Sequence, residues 1–372
     1  MAMRPPPLRP GAVLKTLRYP CYTSTHTPFA LRAATHKRFN STSSTSKTKT
    51  TPASSAPYST TDSPDQTQST QPSSASSTSS PGMSSKLIPA NPADVMVIRD
   101  LTPNVVTLSV PFTRGGKIKF GGRATLVRLS SGSLAVFSPV ALTPDVRAKI
   151  DALVASGSNP AIDPARKVSH IVATDREHHI FLSEWKAAYP GAKLIGPNGL
   201  PEKRKQQAAS GSDDKIRDDP FAVVFPDGPS KLDVTIDAEF DADFSYEFVD
   251  SHVNKEIVFL YRPDRVLIEA DLVFNMPPTE QYQRVPEAER APGLADRLFW
   301  GANTLEGDLK WARRLQWHLM SRGNRPSFNE SIARIAEWDF DTLVPCHGET
   351  VVGGAKAKFV SLFEWHLKAV AK

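Results

Sequence analysis

The order of the predicted elements indicates an α/β fold, an αβ/βα sandwich in which two mixed β-sheets pack together and helices flank them. Strand patterns open the region that begins near residue 100. A strand–loop–helix–strand unit follows over residues 168–195, and further strands then precede a mostly helical stretch over residues 294–338. Because a βαβ unit pairs its strands in parallel whereas a hairpin pairs them antiparallel, these observations together predict mixed sheets.

The opening elements have clear local signals. Residues 124–129 and 134–137 flank a turn made of Ser and Gly, a pattern that predicts a β-hairpin. A helix is predicted to begin after Thr143, because Thr143 can cap it and Pro144 suits the first helical position.

The central unit places a polar stretch directly after a buried strand. Residues 168–173 form a continuous apolar run of the kind that is buried on both faces of a sheet. Phe181, Trp185 and Ala188 follow at helical spacing, and residues 193–195 return as a strand. Ligands of a βαβ unit lie at the carboxyl ends of its strands, so the polar stretch lies where this fold places a site.

The later elements are predicted with the same rules. Residues 201–219 are charged and turn-rich, so they are predicted to be an exposed excursion, with Lys203–Lys205 as a solvated surface. Trp300, Trp311 and Trp317, with Leu315 and Leu319, are predicted to be core residues of the helical stretch. Further strands are predicted at 222–225, 256–261, 265–270 and 342–344, and a closing helix at 355–370.

The positive charge of the chain is concentrated at its N-terminus. Residues 1–61 contain nine Lys and Arg and no Asp or Glu, whereas residues 62–372 contain 36 Lys and Arg against 39 Asp and Glu. The formal net charge of +6 therefore belongs to the first 61 residues, and the rest of the chain is slightly acidic. This distribution excludes a nucleic-acid function inferred from overall basicity, and no nucleic-acid partner is expected.

Three regions are predicted along the chain. Residues 1–40, rich in Arg and free of acids, are typical of a mitochondrial transit peptide, which predicts a location in the mitochondrial matrix. Residues 41–90 are almost entirely small and polar and are predicted to be a disordered linker, which leaves 91–372 as the folded domain. No apolar run is long enough to span a bilayer, so no membrane partner is expected. Only Cys346 remains after removal of a leader that carries Cys21, so no intrachain disulfide is predicted.

Polar side chains follow four of the predicted strands, at the point where each strand ends. Strand ends meet at one rim of a sheet, so these side chains are expected to converge although they are distant in sequence. Carboxylates and imidazoles are ligands of divalent transition metals. Each residue also has an ordinary structural interpretation, such as a turn-capping aspartate or a hydrogen-bonded loop histidine. The candidates are Asp175, Glu177, His178, His179, His252, Asp271 and His347.

Taken in order, these clusters resemble the metallo-β-lactamase superfamily over about residues 100–352. Residues 266–275 look like its strand that ends in a metal-bridging aspartate, and residues 343–348 look like its final P-G-H-G loop. The stretch TDREHHIFLSEW together with PCHG is similar, more narrowly, to an uncharacterised branch of that superfamily, a domain of unknown function.

The resemblance implies a metal-dependent hydrolase that uses one or two divalent ions to activate water. Asp271 would bridge the ions, and His252 and His347 would each complete a coordination shell. Asp175 or Glu177 would bind an ion or orient the attacking water. Small molecules are the expected substrates, from the classes that the superfamily uses: thioesters, lactams and phosphodiesters.

The first loop departs from the superfamily pattern. That pattern is H-x-H-x-D-H after a Thr, whereas the positions after Thr174 hold Asp175, Glu177, His179 and Ile180. His178 and His179 compete for the inward position, because neighbours on an extended loop point opposite ways. A carboxylate-rich ligand set shifts the expected metal from zinc towards iron or manganese.

Two other functions stay open at this point. The altered first loop also fits a metal-free descendant that binds a ligand or partner in the same cleft. Flavodiiron relatives carry a glutamate at the position of Glu177, which allows an iron-dependent redox enzyme. Cys346 is expected to be a buried small hydrophobe, with a soft metal ligand as the alternative.

Overall fold

The computed structural model describes residues 89, 91–157, 162–211 and 213–371. The predicted transit peptide over 1–40, with Cys21, lies outside the described residues, and so does the predicted linker over 41–90 apart from Pro89. No helix of the described part is long and apolar enough to cross a membrane.

The strands of the described residues are arranged in two sheets and one short hairpin. They are β1 (Val97–Asp100), β2 (Val105–Val110), β3 (Thr113–Arg114), β4 (Ile118–Lys119), β5 (Gly122–Arg128), β6 (Leu134–Phe137), β7 (Val168–Val172), β8 (Lys193–Pro197), β9 (Val223–Phe225), β10 (Phe244–Val249), β11 (Glu256–Tyr261), β12 (Val266–Ile268), β13 (Thr342–Val344) and β14 (Val351–Val352).

The α-helices of the described residues lie before, between and after these strands along the chain. They are α1 (Pro92–Val95), α2 (Pro144–Ala155), α3 (Leu182–Ala188), α4 (Leu200–Ser210), α5 (Ala238–Asp241), α6 (Glu287–Arg290), α7 (Leu294–Ala302), α8 (Lys310–Leu315), α9 (Arg325–Glu337), α10 (Ala355–Leu362) and α11 (Glu364–Val370). A π-helical turn, Gln316–Met320, continues α8 directly.

Both sheets are mixed, and the predicted fold class, an αβ/βα sandwich, is confirmed. The first sheet has the order β1-β2-β5-β6-β7-β8-β9, and the second has the order β10-β11-β12-β13-β14. In the first sheet, β5 and β6 pair antiparallel while β6, β7 and β8 run parallel. In the second, β11 and β12 pair antiparallel while β12 and β13 run parallel. Strands β3 and β4 form the separate hairpin.

Side chains of successive residues in a strand point to opposite faces of the sheet, so each strand contributes to two packing layers. In β11, Ile257 and Phe259 belong to the same buried cluster as Phe137 and Val172 of the first sheet, so this cluster fills the space between the sheets. Val258, which points to the other face of β11, packs in a cluster with residues of α9 and α10. A third cluster joins the outer face of the first sheet to α2 and α3. The core therefore has the order helix, sheet, sheet, helix.

Most of the predicted elements are found at or within two residues of their predicted bounds. The hairpin of β5 and β6 and the unit β7–α3–β8 are confirmed. The side chain of Thr143 caps α2 by accepting a hydrogen bond from the backbone N of Val146, at 3.3 Å. Strand β10 was not predicted, although its sequence FSYEFV alternates between aromatic and polar residues in part.

Two predictions are wrong. Residues 201–219 are largely exposed, as predicted, but they contain α4, and Arg204 in the middle of the Lys203–Lys205 run is 1% exposed rather than solvated. Its guanidinium is buried because it donates hydrogen bonds to the His179 carbonyl at 2.7 Å and to the Ser183 hydroxyl at 2.6 Å. Trp311 and Leu319, predicted to be core residues, are 62% and 44% exposed.

Candidate metal centre

The candidate residues lie on four loops at one rim of the sandwich. These loops follow β7, β10, β12 and β13, of which only β10 had not been predicted. The two sheets are joined at this rim, because the backbone N of Ile257 in the second sheet donates to the carbonyl of Thr174 after β7, at 2.7 Å. Residues of different sheets are thereby held side by side.

Three side chains form one compact group at this rim: His178, Asp271 and His347. One potential ligand atom from each residue lies within 4.8 Å of the other two. The Nε2 atoms of His178 and His347 are 3.1 Å apart, and Nε2 of His347 lies 3.1 Å from Oδ1 of Asp271. All three residues belong to loops that were predicted to converge.

The tautomers of the two histidines follow from their outer partners. Nδ1 of His347 lies 2.7 Å from the carbonyl oxygen of Gly121, which can only accept, so this nitrogen carries the proton. Nδ1 of His178 lies 2.9 Å from Oδ1 of Asp175 and donates to it in the same way. In the neutral imidazoles both Nε2 atoms therefore present lone pairs, and they face each other and the Asp271 carboxylate. Three acceptors that face one another need a cation or an added proton between them.

The residues around this group also fit a bound cation. Asp175 is completely buried; its Oδ1 accepts from the backbone N atoms of Glu177 and His178, each at 2.8 Å, but its Oδ2 has no partner within the described residues. Nε2 of His252 is likewise buried without a partner there. Buried polar atoms are nearly always hydrogen-bonded or bound to an ion. The donor set of two imidazoles and one carboxylate therefore fits a divalent metal ion.

The charges at the rim also favour a bound cation. Burial lowers the pKa of His178, but the carboxylates of Asp175 and Asp271 outweigh it and raise that pKa to about 9. Burial alone would raise the pKa of Asp271, and the neighbouring histidines, His178 first, hold it well below its usual value. Burial lowers the pKa of His252 to about 4 although Asp271 and Asp175 lie nearby. The carboxylates thus attract positive charge to His178, the position that a cation would share.

Glu177, His179 and His252 lie outside the compact group. The Glu177 carboxylate is 43% exposed and pairs with Nζ of Lys203, at 2.8 Å. His179 is buried, and Arg204 donates to its carbonyl and contacts its Nδ1, so its ring is held towards α4. Burial and the cations of Lys203 and Arg204 lower the pKa of His179 to about 3. Of the two adjacent histidines, the structure places His178 in the group and turns His179 away from it.

Two residues that the sequence analysis did not select support Asp271. The Glu256 carboxylate accepts hydrogen bonds from the backbone N atoms of Ala270 and Asp271, at 2.7 and 2.9 Å, which fixes the loop after β12. Nδ2 of Asn254 donates to Oδ2 of Asp271. Burial raises the pKa of both Glu256 and its neighbour Glu269. An acid at the start of the otherwise buried, largely apolar strand β11 is the sequence signal that could have identified Glu256.

The final loop is held by Arg123 and Gly348. The buried guanidinium of Arg123 donates to the carbonyls of Pro345 and Gly348, at 2.6 and 2.7 Å. Gly348 has φ +88°, and a Cβ there would lie 2.1 Å from the carbonyl oxygen of Asn275. Only glycine fits this close approach, which sets the direction in which the neighbouring His347 leaves the backbone.

Cys346 is buried beside the group and does not join it. It is 4% exposed, and burial raises the pKa of its thiol well above the usual value. A neutral, buried thiol behaves as a small hydrophobe, as the sequence analysis expected, because metal ligation requires the thiolate.

A cavity of about 700 Å³ opens onto the group. Its lining includes His178, Asp271 and His347, together with Glu177 and Lys203. Half of the remaining 16 lining residues have apolar side chains: Val110, Pro111, Phe112, Pro139, Val140, Ile180, Phe181 and Ile216. The group is therefore reachable by a molecule larger than water.

A second group of titratable side chains lies near the opposite ends of the same strands. His170, Asp237 and Glu239 also place one potential ligand atom each within 4.8 Å of the others. Here Nε2 of His170 lies 2.8 Å from Asp237, and Nδ1 lies 2.7 Å from the Ser169 hydroxyl. The adjoining cavity is small, about 150 Å³.

Comparison with known proteins finds similarity among solved structures. No family model matches the sequence, and no curated protein matches it. A flavodiiron protein variant from Thermotoga maritima is 13% identical, with a TM-score of 0.43, over 73% of this chain and 62% of that chain. The rubredoxin oxygen:oxidoreductase from Desulfovibrio gigas is 13% identical, with a TM-score of 0.44, over 73% of this chain and 61% of that chain. This chain thus spans less than two thirds of the length of these two proteins. A metallo-beta-lactamase from Pontibacter korlensis is 10% identical, with a TM-score of 0.40, over 72% of this chain and 99% of that chain.

Proposed function

We propose that this protein is a metal-dependent hydrolase whose centre binds one divalent ion through His178, Asp271 and His347. The observation that carries the proposal is the convergence of two imidazole Nε2 atoms and a carboxylate oxygen in the lining of a large cavity. Each ligand atom is oriented by a hydrogen bond on its far side, which is typical of metal-binding histidines in proteins.

The ion would supply Lewis-acid chemistry, because a bound divalent metal lowers the pKa of water towards about 7 and polarises a carbonyl or phosphoryl oxygen. Asp175 fixes the ring of His178 through Nδ1. Phe120 and Phe274, whose rings lie 5.3 and 5.2 Å from that of His347, exclude bulk water from one side of the group. The Glu177 carboxylate, held on the cavity wall by Lys203, is the proposed acceptor for the proton of the attacking water.

A single ion is proposed because the second oxygen of Asp271 is already engaged. Oδ2 accepts a hydrogen bond from the Asn254 amide, so Asp271 has only Oδ1 directed at the two histidines. Two imidazoles and one carboxylate form a set that zinc binds in catalytic sites. The carboxylate-rich set that favoured iron or manganese is not what the compact group contains, so zinc is the proposed metal.

The cavity lining indicates the class of substrate. Its walls are mostly apolar, which favours an electrophile with an apolar substituent, such as an acyl thioester or a lactam, over a compact phosphodiester. Arg114 in the lining, which forms no ion pair within the described residues, would attract an anionic group at the other end of such a molecule.

The test is a metal analysis joined to a hydrolysis assay on the full-length protein. We expect one zinc per chain, loss of thioester hydrolysis after chelation, and recovery when zinc is restored. His178→Ala should remove the metal, whereas His179→Gln, a change at the adjacent histidine, should keep it. The exposed His318→Ala variant controls for the loss of any histidine.

Other results would point elsewhere. A purified chain that takes up no divalent metal in equilibrium dialysis would favour the metal-free ligand-binding alternative. Bound iron together with oxygen consumption that needs an electron donor would favour the redox alternative. Metal retained by His178→Ala but lost in His179→Gln would overturn the proposed ligand set.

A further inference from the structure

Helices α7 and α8, with the π turn that follows, present apolar side chains to solvent. Leu294 and Leu298 of α7 are 76% and 69% exposed, and Trp311 and Leu319 are 62% and 44% exposed. The two helices contact each other. This surface is called the α7–α8 face, and it comprises Leu294, Arg297, Leu298, Lys310, Trp311, Arg314, Leu319 and Arg322.

The exposed residues follow helical spacing, so each helix has a defined outer stripe. Trp311 and Leu319 are eight residues apart, two turns along the helix, on one side. Ala312, Gln316 and Met320, which follow one another at four-residue spacing along the other side of the helix, are all buried against the protein. The outer apolar stripe is therefore a separate face and not the exposed edge of the core.

Cations flank both stripes. Residues 290–325 contain seven Lys and Arg but three Asp and Glu, although residues 62–372 as a whole are slightly acidic. One of the three acids, Asp296, is buried and pairs with Lys119. Within the described residues, Arg297, Lys310, Arg314 and Arg322 form no ion pair; the Arg314 guanidinium instead lies 5.0 Å from the centre of the Trp311 ring. The positive charge of this face is thus free to meet an anionic surface.

The combination of side chains selects among possible partners. A second copy would bring four unpaired cations against the same four cations, which is unfavourable. A nucleic acid would meet the cations but would leave Leu294, Leu298 and Leu319 without apolar contacts. An anionic lipid surface meets both needs, because leucine and tryptophan insert at the boundary of the acyl chains while Lys and Arg contact the headgroups.

We propose that the α7–α8 face docks the protein onto an anionic lipid surface, without crossing it. This binding is a peripheral contact, so it is compatible with a described chain that has no membrane-spanning helix, but it departs from the expectation of no membrane partner, which was based on the lack of a spanning segment. The face is also close to the proposed metal centre. On the inner side of α7, the Phe299 ring lies 4.3 Å from that of Phe120, which contacts His347. Docking would hold the cavity near the lipid.

The test is co-sedimentation of the full-length protein with vesicles. Vesicles of equal parts phosphatidylcholine and phosphatidylserine should bind the protein, and phosphatidylcholine alone should bind it weakly. Each cation near an anionic surface changes binding about fivefold, so Arg314→Glu/Arg322→Glu should lower partitioning more than tenfold. Leu294→Ser/Leu298→Ser should also lower it, because the apolar insertion is lost. Leu232→Ser removes a leucine of similar exposure (59%) elsewhere and should leave binding unchanged.

Residues 1–61 are themselves basic, so hydrogen exchange on the vesicles provides a readout specific to this face. We expect slower exchange in residues 294–302 and 310–320. Unchanged exchange in both helices, with binding unaffected by the four substitutions, would show that the basic N-terminus alone binds the lipid and would overturn the proposal. A dimer that becomes monomeric in the leucine variants, without vesicle binding, would assign the face to a second copy. RNA binding without vesicle binding would assign it to a nucleic acid.

Discussion

The two titratable groups, His178–Asp271–His347 and His170–Asp237–Glu239, contain similar residues at similar spacing. They differ in how completely the protein satisfies the hydrogen-bonding atoms of their side chains. In the second group, Lys193 pairs with Asp237 at 2.6 Å, and the Ser131 and Ser133 hydroxyls both donate to Glu239 at 2.6 Å. Both ring nitrogens of His170 have partners as well. Each of the three side chains there therefore already has hydrogen-bond or ion-pair partners within the protein.

The first group lacks such partners for the atoms that face its centre. Its two Nε2 atoms and its carboxylate oxygen face one another, and the nearby Asp175 and His252 each leave a buried atom without a partner in the described chain. The number of acidic and imidazole groups therefore does not distinguish a metal centre from a structural polar network. The property that distinguishes them is whether each lone pair has a hydrogen-bond donor within the protein or needs a bound cation.

The largest effect expected from this comparison is the loss of metal in His347→Ala. The variant removes a direct ligand, so zinc affinity should fall by more than the roughly 10–100-fold that is typical of an outer hydrogen-bond partner. His170→Ala removes the corresponding histidine of the second group and should keep wild-type affinity. Competition with a fluorescent zinc chelator measures both. Equal losses in the two variants would show that the groups do not differ as described.

A smaller effect is expected for Asp175→Ala, which keeps all three proposed ligands. The His178 ring would lose the acceptor that fixes its tautomer and direction, so zinc affinity should fall about 10–100-fold. Asp243→Ala, at another buried aspartate that accepts from Ser130, is the matched control and should leave affinity unchanged. An Asp175→Ala protein with wild-type affinity would mean that Asp175 does not orient His178.

The fold was largely predictable from sequence because its signals are local. The apolar run of β7, the turn between β5 and β6, and the Thr143 cap each occupy a few adjacent residues. The convergence of Asp271 and His347 was also predictable, because both follow strands that the topology places next to each other as β12 and β13.

The choice between His178 and His179 was not predictable, because distant residues decide it. Arg204 holds the carbonyl of His179, and α4, which carries Arg204, had been predicted to be an exposed excursion. Helix α4 is strongly polar, so its sequence gives no apolar stripe to indicate that one arginine is buried. The role of Asn254 was not predictable for the same reason, since only the fold brings its amide to Asp271.

A change in the second group should affect stability rather than metal binding. Asp237→Ala removes the cap of α5, where Oδ1 accepts from the backbone N of Phe240 at 2.8 Å, and it leaves Lys193 and His170 without their partner. The free energy of unfolding should fall by roughly 1–3 kcal/mol, measured in urea, because a helix cap and buried hydrogen bonds are lost together. Zinc affinity should stay the same. A loss of zinc would show that this group is a metal site after all.

The smallest expected effect is a pH dependence that belongs to the second group. Burial alone would raise the pKa of Asp237, but hydrogen bonds from Lys193 and His170 outweigh it and hold that pKa below its ordinary value of 3.8. A lowered carboxyl pKa contributes stability that is fully present well above 3.8 and is lost as the pH falls from about that value towards the lower pKa of the folded state. The difference in unfolding free energy between the wild type and Asp237→Asn should therefore be largest near neutral pH and should shrink in acid. Lys193→Ala removes one of the two hydrogen bonds, so it should make this difference smaller near neutral pH and should complete its loss at a higher pH. A difference that does not change with pH would show that the Asp237 charge contributes nothing, and the contrast between the two groups would then depend on the His170 hydrogen bonds alone.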